Sequence, residues 1–287
     1  MSAVNVVGVV GAGQMGGGIA EVCARAGVSV RLFDVDEDVV SRGLARIDKS
    51  LGRAERSGRV TAAERAEALG RITSATDLDA LADAGLVVEA VVEDEEVKLD
   101  VFRRLDGVVA DPDAVLASNT SSIPIMTMAM ATSRPDHVIG MHFFNPVPVL
   151  KLVEIVPSLL TSERTEQRAR DFAADVLGKT TIRSKDRAGF IVNSLLVPYL
   201  MSAVRMLDSA FASAEDIDNG MMLGCAHPMG PLRLADLIGL DTVKAIAEAM
   251  HEEFKEPLYA PAPLLLRMVE AGLLGKKTGR GFYVYSD

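Results

Sequence analysis

The 287-residue chain has no tryptophan, only two cysteines and an aromatic share of 5%. Cys23 and Cys225 fall in no metal-ligand or C-x-x-C spacing, which excludes a disulfide framework and a zinc motif and suits two small core residues in a reducing cytoplasm. Positive charge is also short. Thirty Lys and Arg against 40 Asp and Glu leave a formal net charge of -10, which opposes a nucleic-acid partner, because such binding needs clustered cations to displace phosphate counterions. No apolar run reaches the roughly 18 uncharged residues of a membrane span, and no basic segment leads into an apolar stretch at the N-terminus. The expectation is a soluble, unprocessed, cytoplasmic protein with no membrane partner. Internal repeats and low-complexity linkers are missing too. What the chain has in quantity is apolar residues, 49% of the total, enough at this length for two domains that each bury a core.

Glycine is concentrated where it matters. Val6-Val7-Gly8-Val9-Val10 is a β-branched run, and Gly11, Gly13 and Gly16 follow in G-x-G-x-x-G spacing before a helical pattern. In a dinucleotide fold these glycines serve a tight turn, backbone approach to a pyrophosphate and close helix–strand packing, and the helix aims unpaired N–H groups at the phosphates. The same spacing also serves plain strand–helix packing. Ser29 to Phe33 reads as a second strand ending in Asp34, at the distance where such folds place the carboxylate for an adenosine ribose.

Further along, Glu37 to Ser57 is amphipathic, and Thr61-Ala62-Ala63-Glu64 is a capping box opening another helix. Together they form a helical pair inserted near residues 37–70. Arg42, Arg46, Lys49, Arg53 and Arg56 recur at helical spacing, either as a solvated face or as a dock for a phosphorylated ligand tail. Gly85 to Glu93 is nearly continuously apolar, as a strand buried on both faces should be. Glu95 to Val109 is helical in period. Val115 to Ser122 is a further strand closed by a cluster of small hydrogen-bonding residues, which either cap the next helix or line a site. Val138 to Pro148 and Val149 to Val156 hold two strand-like runs about a proline-marked bend. Reversal about Pro148 sets His142 opposite Glu154, so the carboxylate either orients an imidazole or satisfies a core histidine. Ser162 to Leu177 is amphipathic, and Thr180 to Ser184 offers one more strand. From Ala188 onward the pattern is helical, with Asn193 in the first turns of a long apolar segment, where its amide needs a partner. The expected fold is α/β, a Rossmann-like doubly wound sheet over residues 1–185, followed by an all-α domain over residues 186–287. The density of apolar segments in that second part predicts a homodimer.

These pieces align with a known pattern. The blocks Gly11-Ala12-Gly13-Gln14-Met15-Gly16, Ala117 to Ser122, His142 to Pro148, Gly189 to Asn193, His227 to Pro231 and Gly279 to Tyr283 resemble the short-chain L-3-hydroxyacyl-CoA dehydrogenase family, in particular its bacterial 3-hydroxybutyryl-CoA branch, over essentially the whole chain. The resemblance implies NAD in the first domain, contacted by Gly11, Gly13, Gln14, Met15, Gly16, Asn119 and Asn145, with Asp34 on the adenosine ribose and Glu93, Lys98 and Ser121 near the nicotinamide side. It further implies an acyl-CoA substrate entering between the domains, His142 as acid/base, Glu154 as its partner, and Ser121 and Asn193 on the reacting oxygens. Arg46, Lys49 and Arg53 are candidates for the CoA phosphates. No metal is required for hydride transfer with a positioned acid. Ser194 departs from the pattern, since the family commonly carries arginine there. Two other readings of the same fold are a dehydrogenase of a free hydroxy acid or sugar acid, and a nucleotide-binding protein without turnover.

Overall fold

A computed structural model describes residues 4–285, which form two compact units divided between Asp186 and Arg187. In the first, the chain runs β1 (Val6–Val10), α1 (Gln14–Arg25), β2 (Ser29–Phe33), α2 (Glu37–Arg56), α3 (Ala62–Gly70), β3 (Ile72–Ala75), β4 (Leu86–Glu89), α4 (Glu95–Val108), β5 (Val115–Ser118), α5 (Ile125–Ala129), β6 (Val138–Phe143), β7 (Leu152–Pro157), α6 (Glu163–Asp171) and β8 (Thr180–Arg183). The eight strands make one sheet ordered β3-β2-β1-β4-β5-β6-β7-β8, parallel except where β7 pairs antiparallel with β6. Strand order reverses between β1 and β4, the crevice where open α/β sheets bind their ligands.

Sequence chemistry explains the element ends. Asp36, Asp94 and Ser162 cap α2, α4 and α6 by accepting first-turn N–H groups, and Thr61 with Glu64 closes a reciprocal capping box on α3, each worth about 1 kcal/mol. The amphipathic stretch after Ser162 changes character midway: α6 stops at Asp171 and one wide turn spans Phe172–Val176.

Alternation along the strands divides the side chains between two faces. Val7 and Val9, Val88, Ala117, Ile139, Met141 and Phe143 pack into one core with residues of α1, α2 and α6. Their neighbours Glu89, Ser118, Gly140 and His142 must then point to the opposite face, the face on which Ile125 of α5 would meet a Cβ at Gly140.

The second unit comprises α7 (Val192–Asp208), α8 (Ala214–Gly224), α9 (Pro231–Ile238), α10 (Leu240–Phe254) and α11 (Pro263–Glu270) around a core including Leu200, Met201, Leu232, Leu240, Ala247 and Leu265. Two buried carboxylates organise it. Asp218 accepts the Leu232 and Arg233 N–H groups and the Tyr283 hydroxyl. Asp236 accepts from Phe282 N, Tyr283 N and the Tyr285 hydroxyl, so the C-terminal segment is tied down by backbone and phenol donors. Cys225, expected in the core, is exposed, because it lies just past the last turn of α8.

Candidate active site

The glycine turn is built by steric necessity. Gly11 has φ 101°, and a Cβ there would lie 2.5 Å from the Ala90 carbonyl oxygen; one on Gly16 would lie 1.8 Å from the Gly11 carbonyl oxygen. Gly13 differs: its Cβ would meet nothing within 4 Å. The middle glycine therefore keeps space clear for something outside the protein, as a backbone approached by a pyrophosphate requires. Gly13 also starts α1 with no side-chain cap, which leaves the helix N-terminus to a ligand. Asp34 closes the cradle, its carboxylate accepting Ala12 N and Val35 N, each at 2.8 Å. These residues fit a dinucleotide.

Three ties bring other elements to the turn. Gln14 Nε2 donates to Asn145 Oδ1 at 3.0 Å, and Gly18 of α1 lies so near the bend that its Cβ would sit 2.9 Å from that of Val147. The Arg46 guanidinium donates to the Ala12 carbonyl at 2.6 Å. Arg46 thus supports the glycine turn, while Lys49 and Arg53 lie on the exposed face of α2. Met15, beside Gln14, is half-buried.

At the C-terminal ends of β4 and β5 lies a polar cluster. Glu89 and Ser118 are cross-strand partners, and the Ser118 hydroxyl donates to Glu89 Oε2 at 2.6 Å. Lys98 reaches in from α4, 1% exposed, and donates to Glu89 Oε1 at 2.6 Å, with Glu93 Oε2 3.3 Å away. Glu93 Oε1 gathers the next loop: the Thr120 hydroxyl at 2.5 Å, Ser121 N at 3.0 Å, and Ser122 through both N–H and hydroxyl. Burial pushes the Glu93 carboxyl up, but the Lys98 ammonium and these donors outweigh it and hold Glu93 below the ordinary carboxylate range. Asn119 accepts the Phe143 N–H at 2.8 Å, linking this loop to the end of β6.

There His142 and Glu154 stand opposite each other in the β6–β7 ladder. His142 Nδ1 lies 2.7 Å from Glu154 Oε2, with the histidine 6% and the carboxylate 0% exposed. The Phe144 ring tilts against the imidazole at 4.5 Å between centroids. A carboxylate on Nδ1 selects the tautomer that carries its proton there, and proton exchange with a ligand falls to Nε2. Glu93, Asn119, Ser121, His142 and Glu154 therefore sit on neighbouring strands or the loops leaving them, with Lys98 reaching in from α4. Asn193 belongs to the second unit, buried in the first turn of α7; the neighbouring Ser194 hydroxyl bonds back to the Phe190 carbonyl.

Sequence reasoning missed Glu89, Ser118 and Thr120 as members of this cluster. The signal was present: a carboxylate inside the apolar run Leu86 to Val92 needs a buried partner, and Lys98 follows at the first turn of a helix whose other inward residues are apolar.

A doubly wound sheet with a glycine cradle and a buried carboxylate–histidine pair beyond its switch point defines a nicotinamide-dinucleotide dehydrogenase. Residues 6–187 match the family model for the 3-hydroxyacyl-CoA dehydrogenase NAD binding domain, and residues 189–285 that for the 3-hydroxyacyl-CoA dehydrogenase C-terminal domain. The chain belongs to the 3-hydroxyacyl-CoA dehydrogenase family. It is 62% identical to a 3-hydroxybutyryl-CoA dehydrogenase of Mycobacterium tuberculosis over 99% of both chains. Among solved structures, M. tuberculosis FadB2 superposes with a TM-score of 0.98 at 62% identity, covering 99% of this chain and 100% of that one. The (S)-3-hydroxybutyryl-CoA dehydrogenase PaaH1 of Ralstonia eutropha superposes with a TM-score of 0.93 at 46% identity, with the same coverage.

Proposed function

We propose that this NAD-dependent dehydrogenase interconverts acetoacetyl-CoA and (S)-3-hydroxybutyryl-CoA, with His142 as acid/base. The observation that carries the reading is the 2.7 Å contact between His142 Nδ1 and the fully buried Glu154, supported by the substrate named for the relatives above. NADH, when bound, supplies the hydride. The protein's part is the proton. His142 donates from Nε2 to the developing alkoxide during ketone reduction and takes the proton back during oxidation, while Glu154 holds the ring and stabilises the imidazolium. Ser121 and Asn193 hydrogen-bond the reacting oxygens. Gly11, Gly13, Gln14, Met15, Gly16 and Asp34 hold the adenosine and pyrophosphate half of NAD; Glu93, Lys98, Asn119, Ser121 and Asn145 face the nicotinamide half.

Lys49 and Arg53 meet the CoA phosphates, with Arg46 nearer the glycine turn it supports. In this reading residues 1–185 bind the dinucleotide, and residues 186–287 contribute to substrate binding and pair two chains into a homodimer. Exposed Leu195, Phe211 and Leu223 supply apolar surface for that pairing, and a one-chain mass by light scattering at micromolar concentration would refute it. No described helix is long and apolar enough to cross a membrane. Cytoplasmic residence is consistent with two free cysteines, one of them Cys23, whose thiol burial pushes up to about 12.

The deciding experiment follows NADH oxidation with acetoacetyl-CoA and with free acetoacetate. Turnover of the thioester alone is expected. Turnover of the free acid alone would replace this reading with a hydroxy-acid dehydrogenase, and turnover of neither, with NADH still bound, would leave a nucleotide-binding protein.

A further inference from the structure

Glu89 takes no part in the chemistry above, yet it is the most deeply placed charge of the nicotinamide-side cluster. It is 0% exposed and accepts three donors: Lys98 Nζ at 2.6 Å, the Ser118 hydroxyl at 2.6 Å and Val91 N at 2.7 Å. Donors on both oxygens, one of them an ammonium, suit a carboxylate in an ion pair. Lys98 is therefore placed between two carboxylates, 2.6 Å from Glu89 and 3.3 Å from Glu93. The cluster holds one ammonium and two carboxylates, a net charge of minus one. Because the shorter contact goes to Glu89, the uncompensated charge rests on Glu93, the more exposed of the two.

The two redox states of the cofactor differ in charge at one place, the nicotinamide ring, cationic when oxidised and neutral when reduced. We infer that Glu89 sets the charge presented to that ring: by neutralising Lys98 from beneath, it leaves Glu93 as a net negative charge that favours NAD+ over NADH. The inference rests on the cofactor placement of the preceding section. Glu89 is a positioning residue for charge, since it acts through Lys98 and Glu93. Its substitution changes the ratio of two affinities, which a purely structural role would not do.

The test measures binding in the absence of substrate, NADH by its fluorescence and NAD+ and ADP-ribose by displacement. In Glu89→Gln the cluster becomes neutral, and Kd(NAD+)/Kd(NADH) rises on the order of tenfold, because the cationic ring loses a net negative neighbour and the neutral ring does not. The double variant Glu89→Gln/Lys98→Met restores a net charge of minus one, and the ratio returns to within about twofold of wild type. Replacing both members of a buried pair is commonly tolerated, so this variant carries the test even where the single one does not fold. ADP-ribose, which has no nicotinamide, binds all variants alike. An unchanged ratio in Glu89→Gln, an equal loss of both nucleotides, or a double variant that departs from wild type overturns the inference and leaves the cofactor site standing. A wild-type protein that binds neither NAD+ nor NADH overturns the cofactor placement itself.

Discussion

Glu154→Gln tests the acid/base pair with little change of shape. The carboxylate is fully buried and 2.7 Å from His142 Nδ1, so glutamine keeps a carbonyl oxygen within reach of the Nδ1 proton but removes the charge that steadies the imidazolium. Hydrogen bonds to charged groups contribute about 1.5–3 kcal/mol net. At about 1.4 kcal/mol per factor of ten, the variant should lose roughly 10- to 150-fold in kcat for acetoacetyl-CoA reduction. His142→Ala removes the proton donor itself and should lose on the order of 10²–10⁴. Because Glu154 acts through the imidazole, the double variant should be little slower than His142→Ala alone. NADH affinity should barely move, since neither residue is assigned to the cofactor. Steady-state kinetics in both directions across pH, with NADH titration of each variant, reads all of this. Near-wild-type turnover by a folded His142→Ala protein would refute the assignment. Multiplicative losses in the double variant would refute the coupling.

Asp34→Ala should weaken NADH and narrow the preference over NADPH, because the carboxylate that receives Ala12 N and Val35 N also repels a 2′-phosphate; equal or better efficiency of the wild type with NADPH would contradict this. Gly13→Ala should leave thermal stability nearly unchanged, since its Cβ meets no protein atom within 4 Å, yet weaken NADH measurably. Gly16→Ala should instead lower the melting temperature, as its Cβ would fall 1.8 Å from a backbone oxygen; the reverse pattern would refute the assignment of space. Glu93 is held below its ordinary value of 4.5 in the fold, so its contribution to stability is present above that value and lost as pH falls through the lower folded one. Acid unfolding of Glu93→Gln should therefore show a shallower loss of stability between about pH 5 and pH 3 than wild type, and identical slopes would count against it.

Much of the first unit was legible because its signals are local. Glycine spacing, the apolar run from Gly85 to Glu93, the Thr61–Glu64 box and the symmetry of His142 and Glu154 about Pro148 each depend on a few adjacent residues. The Glu89–Lys98 pair was missed although each end carried a signal, since periodicity marks which face is buried but not which buried charge finds which partner across elements. Arg46 shows the same limit. Helical spacing placed it on a basic face, but its contact with Ala12 depends on α2 packing backbone-close over the glycine turn, where Gly43 comes within 2.7 Å of the Ala12 carbonyl oxygen when given a Cβ. Cys225 was misread because residue type alone said core, while its position past a helix end decided exposure.

The β6–β7 pairing has a consequence for how the sheet finds its alignment. Both strands are buried almost throughout, so the alternation of apolar and polar residues that normally fixes strand register is nearly silent here. A slip of one position would set Val153 or Ile155 opposite His142, a change to which the aliphatic residues are almost indifferent. Glu154 is not. Slipped, its side chain turns to the other face of the sheet, among Met141 and Phe143, a buried carboxylate without its imidazole, which costs several kcal/mol. The pair assigned to proton transfer is thus also the mark by which two otherwise ambiguous strands tell the right alignment from its neighbours.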